Sequence, residues 1–181
     1  STLQVDLFGT ADNDRNPLYA VGRSAHANLS ATYAMSGTPL FNSANIFGEI
    51  GWNRLVSVTK NRAALDPGVT KDALGFRVIF EPSYYQVLPG VDVSVPIGLG
   101  YNPKGRSAVV GGFNGGVDGG GDLSIGIKAE YLKNLRLSLN YTHFYGTEKT
   151  ALKPTPAGYV QNFGQALADR DFVTLSAQYS F

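Results

Sequence analysis

Hydrophobic and polar residues alternate along much of this chain. From 74 to 84 the even positions read Leu74, Phe76, Val78, Phe80, Pro82 and Tyr84, and the odd ones Gly75, Arg77, Ile79, Glu81 and Ser83. A period of two marks a strand with one apolar and one polar face. Past the turn 88–90 the pattern resumes as Val91, Val93, Val95, Ile97, Leu99 and Tyr101 against Asp92, Ser94, Pro96, Gly98 and Gly100, the cleanest strand in the chain. Leu123, Ile125, Ile127, Ala129 and Tyr131 then oppose Ser124, Gly126, Lys128 and Glu130. Across a tight Lys133-Asn134 turn, Leu135, Leu137, Leu139, Tyr141 and Tyr145 oppose Arg136, Ser138, Asn140 and Thr142, which predicts a hairpin. The final run sets Val173, Leu175, Ala177, Tyr179 and Phe181 against Thr174, Ser176, Gln178 and Ser180.

Weaker alternation predicts three upstream strands: Leu3, Val5, Leu7 against Gln4 and Asp6; Ala27 to Met35 at odd positions; and Ile46, Gly48, Ile50, Trp52 against Glu49 and Asn53. Eight strands result. Arg54 falls on the apolar parity of the third, which suggests a bulge near Asn53 or a position at a membrane surface.

A soluble sandwich also alternates, but its polar face is solvated and its apolar face closes a core. Three features favour a membrane barrel. Across the last five strands no apolar-parity position is charged, whereas Arg77, Glu81, Asp92, Lys128, Glu130 and Arg136 all lie on the other parity among Gly and Ser. The clean runs cover about 9 to 11 residues, the length of a tilted spanning strand. Short connections at 88–90 and 133–134 alternate with long ones at 60–72, 103–121 and 147–170, as periplasmic turns alternate with outer loops. The fold expected is therefore all-β, an antiparallel transmembrane β-barrel in one domain over residues 1–181.

With the C-terminus on the periplasmic side, two interfacial aromatic belts are expected. Phe181, Tyr179, Tyr131, Tyr84 and Tyr33 fall at the inner interface, and Tyr101, Tyr141, Tyr145, Phe76 and Trp52 at the outer one. Asp6, Glu49, Arg77, Glu81, Asp92, Lys128, Glu130 and Arg136 are expected to line the lumen, where opposite charges on neighbouring strands pair into a network.

Composition agrees with this picture. Of 181 residues, 22 are Gly, 10 are Tyr, none is Cys, and 16% are charged; a typical soluble domain has about one-quarter. The 15 basic and 14 acidic residues form no basic block, so no nucleic-acid partner is expected. Without Cys there is no disulfide scaffold, thiolate site or cysteine nucleophile. The longest uncharged stretch, 24–48, is interrupted by Gly37 and Pro39 and unsuited to a spanning helix. The chain opens on neither Met nor a leader, so a secretory signal is expected to have been removed, or the chain to be the later part of a longer one.

Other motifs carry less. Residues 114–122, NGGVDGGGD, partly match a calcium-binding nonapeptide, but a single imperfect copy reads as a mobile turn. Pro103 to Ser107 lacks the Gly-Lys-Ser/Thr ending of a P-loop. His26 is on the polar parity and expected to hydrogen-bond there. His143 is on the apolar parity; outer-membrane lipid A deacylases use a lipid-facing His and Ser, but their His-x-Ser motif is missing, so His143 is read as a headgroup-level anchor. Two His and no Cys offer little to a transition metal, and no metal, cofactor or enzymatic activity is expected.

The terminal segment 173–181, VTLSAQYSF, resembles the C-terminal signal read by the bacterial outer-membrane assembly machinery, with Val173, Leu175, Ala177, Tyr179 and Phe181 as its determinants. Segments 48–61, GEIGWNRLVSVTKN, and 167–176, LADRDFVTLS, resemble the C-terminal part of a large proteobacterial outer-membrane family defined only as a domain of unknown function. That resemblance implies an outer-membrane location, contact with lipid and lipopolysaccharide, and a Gram-negative source. It also implies a porin-like channel or transport role for hydrophobic small molecules, since members are often encoded beside genes for degrading or exporting lipids and steroids. Members are longer, so eight strands either close a narrow barrel or end a wider one. A non-conducting barrel that acts as anchor, adhesin or partner-binding surface is the alternative.

Overall fold

A computed structural model describes residues 9–156 and 158–181. It is all-β. The strands are β1 (Val21–Thr38), β2 (Phe41–Lys60), β3 (Asp72–Leu88), β4 (Val91–Ser94), β5 (Ile97–Lys104), β6 (Gly120–Tyr131), β7 (Leu135–Tyr145), β8 (Leu152–Thr155), β9 (Gly158–Gln161) and β10 (Phe172–Tyr179). Every pairing between them is antiparallel. One sheet runs β1-β2-β3-β4-β6-β7-β10, with β5 between β3 and β6, and β8-β9 form a separate hairpin. Among the described residues, β1 and β10 pair on one side only, so the sheet is open. The expected strand over Leu3, Val5 and Leu7, and with it Asp6, lies outside the described residues.

The registers keep the two faces separate across the sheet. Leu29 lies opposite Ile50, which lies opposite Phe76, which lies opposite Tyr101. Leu99 faces Leu123, Ile127 faces Leu139, and Leu139 faces Leu175. Over these central stretches the pairing runs without a slip, and a slip of one residue there would have mixed the faces. The apolar face is open: Leu29, Ile125 and Leu175 are 68%, 51% and 77% exposed. Buried positions in the ladders fall mostly on the other face, at Asn53, Ala73, Gly98, Gly100, Asn102 and Thr142.

Three details differ from the sequence reading. Strands β1, β2 and β3 run 18, 20 and 17 residues, longer than the clean alternation. Ser, Asn and Gly at the ends of β1 and β2 hide the period without preventing extension, β3 runs on past the alternation through Tyr85, Gln86, Val87 and Leu88, and β1 and β2 meet at Pro39-Leu40. Second, Pro96 divides the 91–101 run into β4 and β5, because it has no N–H to give the ladder. The register with β3 nevertheless continues, Ser83 facing Ser94 and Phe80 facing Ile97. Third, pairing at Asn53 is regular, and two slips come beyond it, at Val56, between Ser24 opposite Leu55 and Arg23 opposite Ser57, and at Thr59, between Gly22 opposite Val58 and Val21 opposite Lys60. Arg54 stays on the apolar face at the end of the ladder, 3.6 Å from Asp72.

All short turns lie at one end of the sheet, together with the C-terminus. The connections 61–71, 105–119 and 146–171 lie at the other.

Candidate functional site

The polar face carries the charges, and small residues decide which of them meet. Arg77 is in register with Glu49 on one side and Gly100 on the other, and Gly100 is in register with Asp122. Because Gly100 has no side chain, Arg77 reaches across β5 and donates Nη1 and Nη2 to the two carboxylate oxygens of Asp122 at 2.9 and 2.5 Å. A Cβ on Gly100 would lie 2.8 Å from Asp122 Oδ1 and 2.9 Å from Arg77 Nη2. Glu49 instead accepts the Asn28 amide at 2.8 Å.

Toward the short-turn end, Ser83, Ser94, Lys128, Ser138 and Ser176 form one cross-strand row. Lys128 Nζ donates to both Glu81 oxygens at 2.9 and 3.0 Å, and Ser94 Oγ donates to Glu81 at 2.8 Å. Next to this row Asp92 and Glu130 stand opposite each other in register, a repulsive pair by itself. Lys133 resolves it, with Nζ 2.7 Å from Asp92 and 2.9 Å from Glu130, while Arg136 Nε lies 2.6 Å from Glu130. The two carboxylates hold the Lys133 ammonium well above the ordinary lysine range by accepting its hydrogen bonds, Asp92 first. An open hollow of about 430 Å³ lies over the cluster, bordered by Glu81, Asp92, Lys128, Glu130, Arg136 and Ser176.

This region offers carboxylates, cations and hydroxyls along one wall, an arrangement suited to hydrating or guiding a polar group. Among the described residues no group of three or more His, Cys, Asp or Glu is placed to hold a metal.

Most of the strand aromatics lie on the apolar face, although Phe47, Tyr85 and Phe144 stand on the polar one. At the loop end Phe76 meets Tyr101 edge-on at 5.9 Å, and Tyr101 stacks on Tyr145 at 6.4 Å over Gly121, which lies between them in register. Trp52 pairs with Leu74 and Tyr141 with Ile125 in the same half. At the short-turn end lie Tyr33, Tyr84 and Tyr131, with Tyr179 edge-on to Phe181 at 5.3 Å. Val173, Leu175, Ala177 and Tyr179 are exposed on the apolar face of β10, and Phe181 follows the strand's end.

His143 is not a solitary anchor. Asp171 accepts from Tyr141 Oη at 2.6 Å and Phe144 N at 3.1 Å, and lies 2.7 Å from His143 Nδ1. These donors, Tyr141 first, hold the Asp171 carboxyl at about 2. His26 lies 3.0 Å from Ser24 Oγ.

The long connections pack against each other. Thr70 N donates to Arg106 O at 2.8 Å, Asp118 N to Phe163 O at 2.8 Å, and Gln161 N to Asp66 at 2.8 Å. Buried Gln165 donates to the carbonyls of Gly121 and Tyr145 at 2.9 and 3.3 Å. The 114–122 segment is therefore no free turn: Asn114 lies over Gly75, and Asp122 belongs to β6.

Three charged residues of the clusters on the strands are not marked by the alternation. Asp122 looked like part of a Gly-Asp loop, although extending the parity of Leu123 one residue back puts it on the polar face. Lys133 sat in a turn, where parity is silent. Asp171 precedes the last strand, and the parity of Val173 extended back pairs it with His143.

The family model described as "Protein of unknown function (DUF1302)" matches residues 2–181. No curated protein and no solved structure matches the chain.

Proposed function

The chain belongs to the DUF1302 family of proteins of unknown function, and on that premise we propose that it forms wall strands of an outer-membrane β-barrel that passes hydrophobic small molecules. One observation carries this reading: the sheet is inside out for water. Leu, Ile, Val and Tyr stand exposed on one face, whereas the ion pairs Arg77–Asp122, Glu81–Lys128, Asp92–Lys133 and Glu130–Arg136 lie on the other. Lipid removes the cost of the first face, since transferring a Leu or Ile side chain out of water is worth about 1.5–3 kcal/mol. Water in a lumen removes the cost of the second. The hydrophobic class of the transported molecule rests on the family resemblance alone.

In this reading the short turns and C-terminal strand face the periplasm, lipid and lipopolysaccharide contact the apolar face, and the assembly machinery reads 173–181. The edges of β1 and β10 close on each other or on further strands, because an unpaired edge in hydrocarbon leaves its N–H and C=O groups unsatisfied. The test is purification from outer membranes followed by planar-bilayer conductance and uptake into liposomes. Heat-modifiable migration and steady current are expected; a detergent-independent soluble protein, or a sealed barrel, contradicts it.

A non-conducting anchor or partner-binding barrel is the second reading, favoured by the contacts among the long connections, which form a folded surface at one end. A sealed barrel in the same conductance assay would select it.

A further inference from the structure

Connections at the loop end of a barrel wall have open solvent above them, yet 105–119 turns back over the polar face of β2, β3 and β5. Ser107 and Asn53, 6% and 2% exposed, are joined by Ser107 Oγ donating to Asn53 Oδ1 at 2.6 Å. Asn102, equally buried, donates Nδ2 to the Asn114 carbonyl at 3.1 Å, and Gly119 N returns to Asn102 O at 2.8 Å. The base is closed by Gly105 N donating to Asp118 at 2.9 Å and by the Arg106–Asp118 pair at 3.0 Å.

The seat for this loop is a bare patch of backbone. Gly51 and Gly75 face each other in register on the polar face. The Phe113 ring lies 3.6 Å from where a Gly51 Cβ would stand, and any side chain on Gly75 would overlap Asn114 and Asn102. Left-handed Gly112, Asn114, Gly115 and Gly116 turn the loop at the contact. One residue pair further along the strands, toward the short-turn end, Arg77 and Asp122 bridge β3 and β6.

We infer that the connection 105–119 is an internal constriction, seated on Gly51 and Gly75, that sets the size of molecule the barrel passes. The inference rests on the channel reading and adds the element that determines selectivity within it. Phe113 and Asn114 form one lip and the Arg77–Asp122 pair lies immediately below, so a passing molecule meets an aromatic ring and an amide before a charged step.

The experiment uses the native protein in planar bilayers and liposomes, with heat-modifiable migration as the folding control. First, the chain's lack of Cys permits Asn53→Cys with Ser107→Cys, joined by a short bifunctional thiol reagent; efficient cross-linking is expected, and none overturns the seat. Second, Gly75→Leu is expected to unseat the loop and raise conductance by at least about twofold, admitting larger neutral solutes. Removal of 109–116 is expected to do the same should the leucine variant misfold. Flux left unchanged by a folded Gly75→Leu variant, or by the shortened loop, overturns the constriction while the channel reading stands. A sealed wild type that conducts once the loop is shortened supports the constriction and refutes passage through the native barrel; one that stays sealed overturns both.

Discussion

The loop end and the strand body of this molecule solve opposite packing problems. At the loop end, Asn53, Asn102, Ser107, Val117, Phe163 and Gln165 are buried, and the three long connections hydrogen-bond to one another. In the strand body, β10 is exposed on both faces, and the Leu and Ile side chains of β5, β6 and β7 point away from the polar groups without covering each other in a second layer. The loop end thus resembles a small protein interior, held by polar contacts more than by apolar area. Among the described residues, the body has the ladder hydrogen bonds of a sheet and an apolar surface with no protein against it, a surface that is unfavourable in water. On the barrel reading, that difference separates what the chain holds together alone from what lipid would supply.

The largest way to break that contrast is to place a charge on the apolar face. Leu139→Arg is expected to destabilise the protein in lipid by about 2–4 kcal/mol, the depth-dependent cost of Arg facing hydrocarbon. Ser138→Arg, one residue away on the polar face, is expected to cost much less. Denaturant unfolding in vesicles compares them, and equal losses would erase the distinction between the faces.

A smaller effect belongs to the loop end. Ser107→Ala removes the donor to buried Asn53 Oδ1, a loss of about 1–3 kcal/mol for a buried acceptor left unpaired. It is expected to open 105–119 to limited proteolysis while heat-modifiable migration of the body is retained. Loss of both together would mean that the two regions are not separable.

Lys133→Met sharpens the account of the polar face. It strips the cation from between Asp92 and Glu130, which face each other in register. Reversal potentials in a salt gradient are expected to shift toward cation selectivity; no shift would place this cluster away from the conducting path.

The mildest prediction concerns acid. Asp171 has its carboxyl depressed to about 2 by Tyr141, His143 and Phe144 N–H, so its stabilising contribution is present above the ordinary aspartate pKa and lost as pH falls through about 2. Between about pH 4 and pH 2 the start of β10 is expected to loosen from β7, read as faster amide exchange at Phe172. Asp171→Asn should show the loosened state at neutral pH and abolish the pH dependence in that window.

How far the sequence could be read follows the same division. The alternation at 74–84, 123–131 and 135–145 identified the face of each residue, and the registers then set apolar beside apolar and polar beside polar across the sheet. Parity is a local property of an extended chain, so it survives without knowledge of partners. Partner choice does not. Arg77 was free to pair with Glu49, its neighbour in register, and meets Asp122 two strands away only because Gly100 leaves the space. The docking of 105–119 depends on Gly51 and Gly75, separated from it in sequence, and nothing periodic announces it. The long ends of β1 and β2 carry Ser, Asn and Gly on both parities, which blurs the period while the backbone remains extended.

The central claim is that the apolar face meets lipid and the polar face meets water. The lack of Cys in the chain makes a nitroxide scan from 123 to 131 and from 135 to 145 direct, with each residue replaced in turn by Cys, labelled, and reconstituted in vesicles. Collision with oxygen, concentrated in hydrocarbon, is predicted to peak at Leu123, Ile125, Ile127, Leu137 and Leu139, and collision with a water-soluble nickel chelate at Ser124, Lys128, Arg136 and Ser138, with a period of two. Nickel access at both parities, or odd positions shielded from both reagents, would contradict the account.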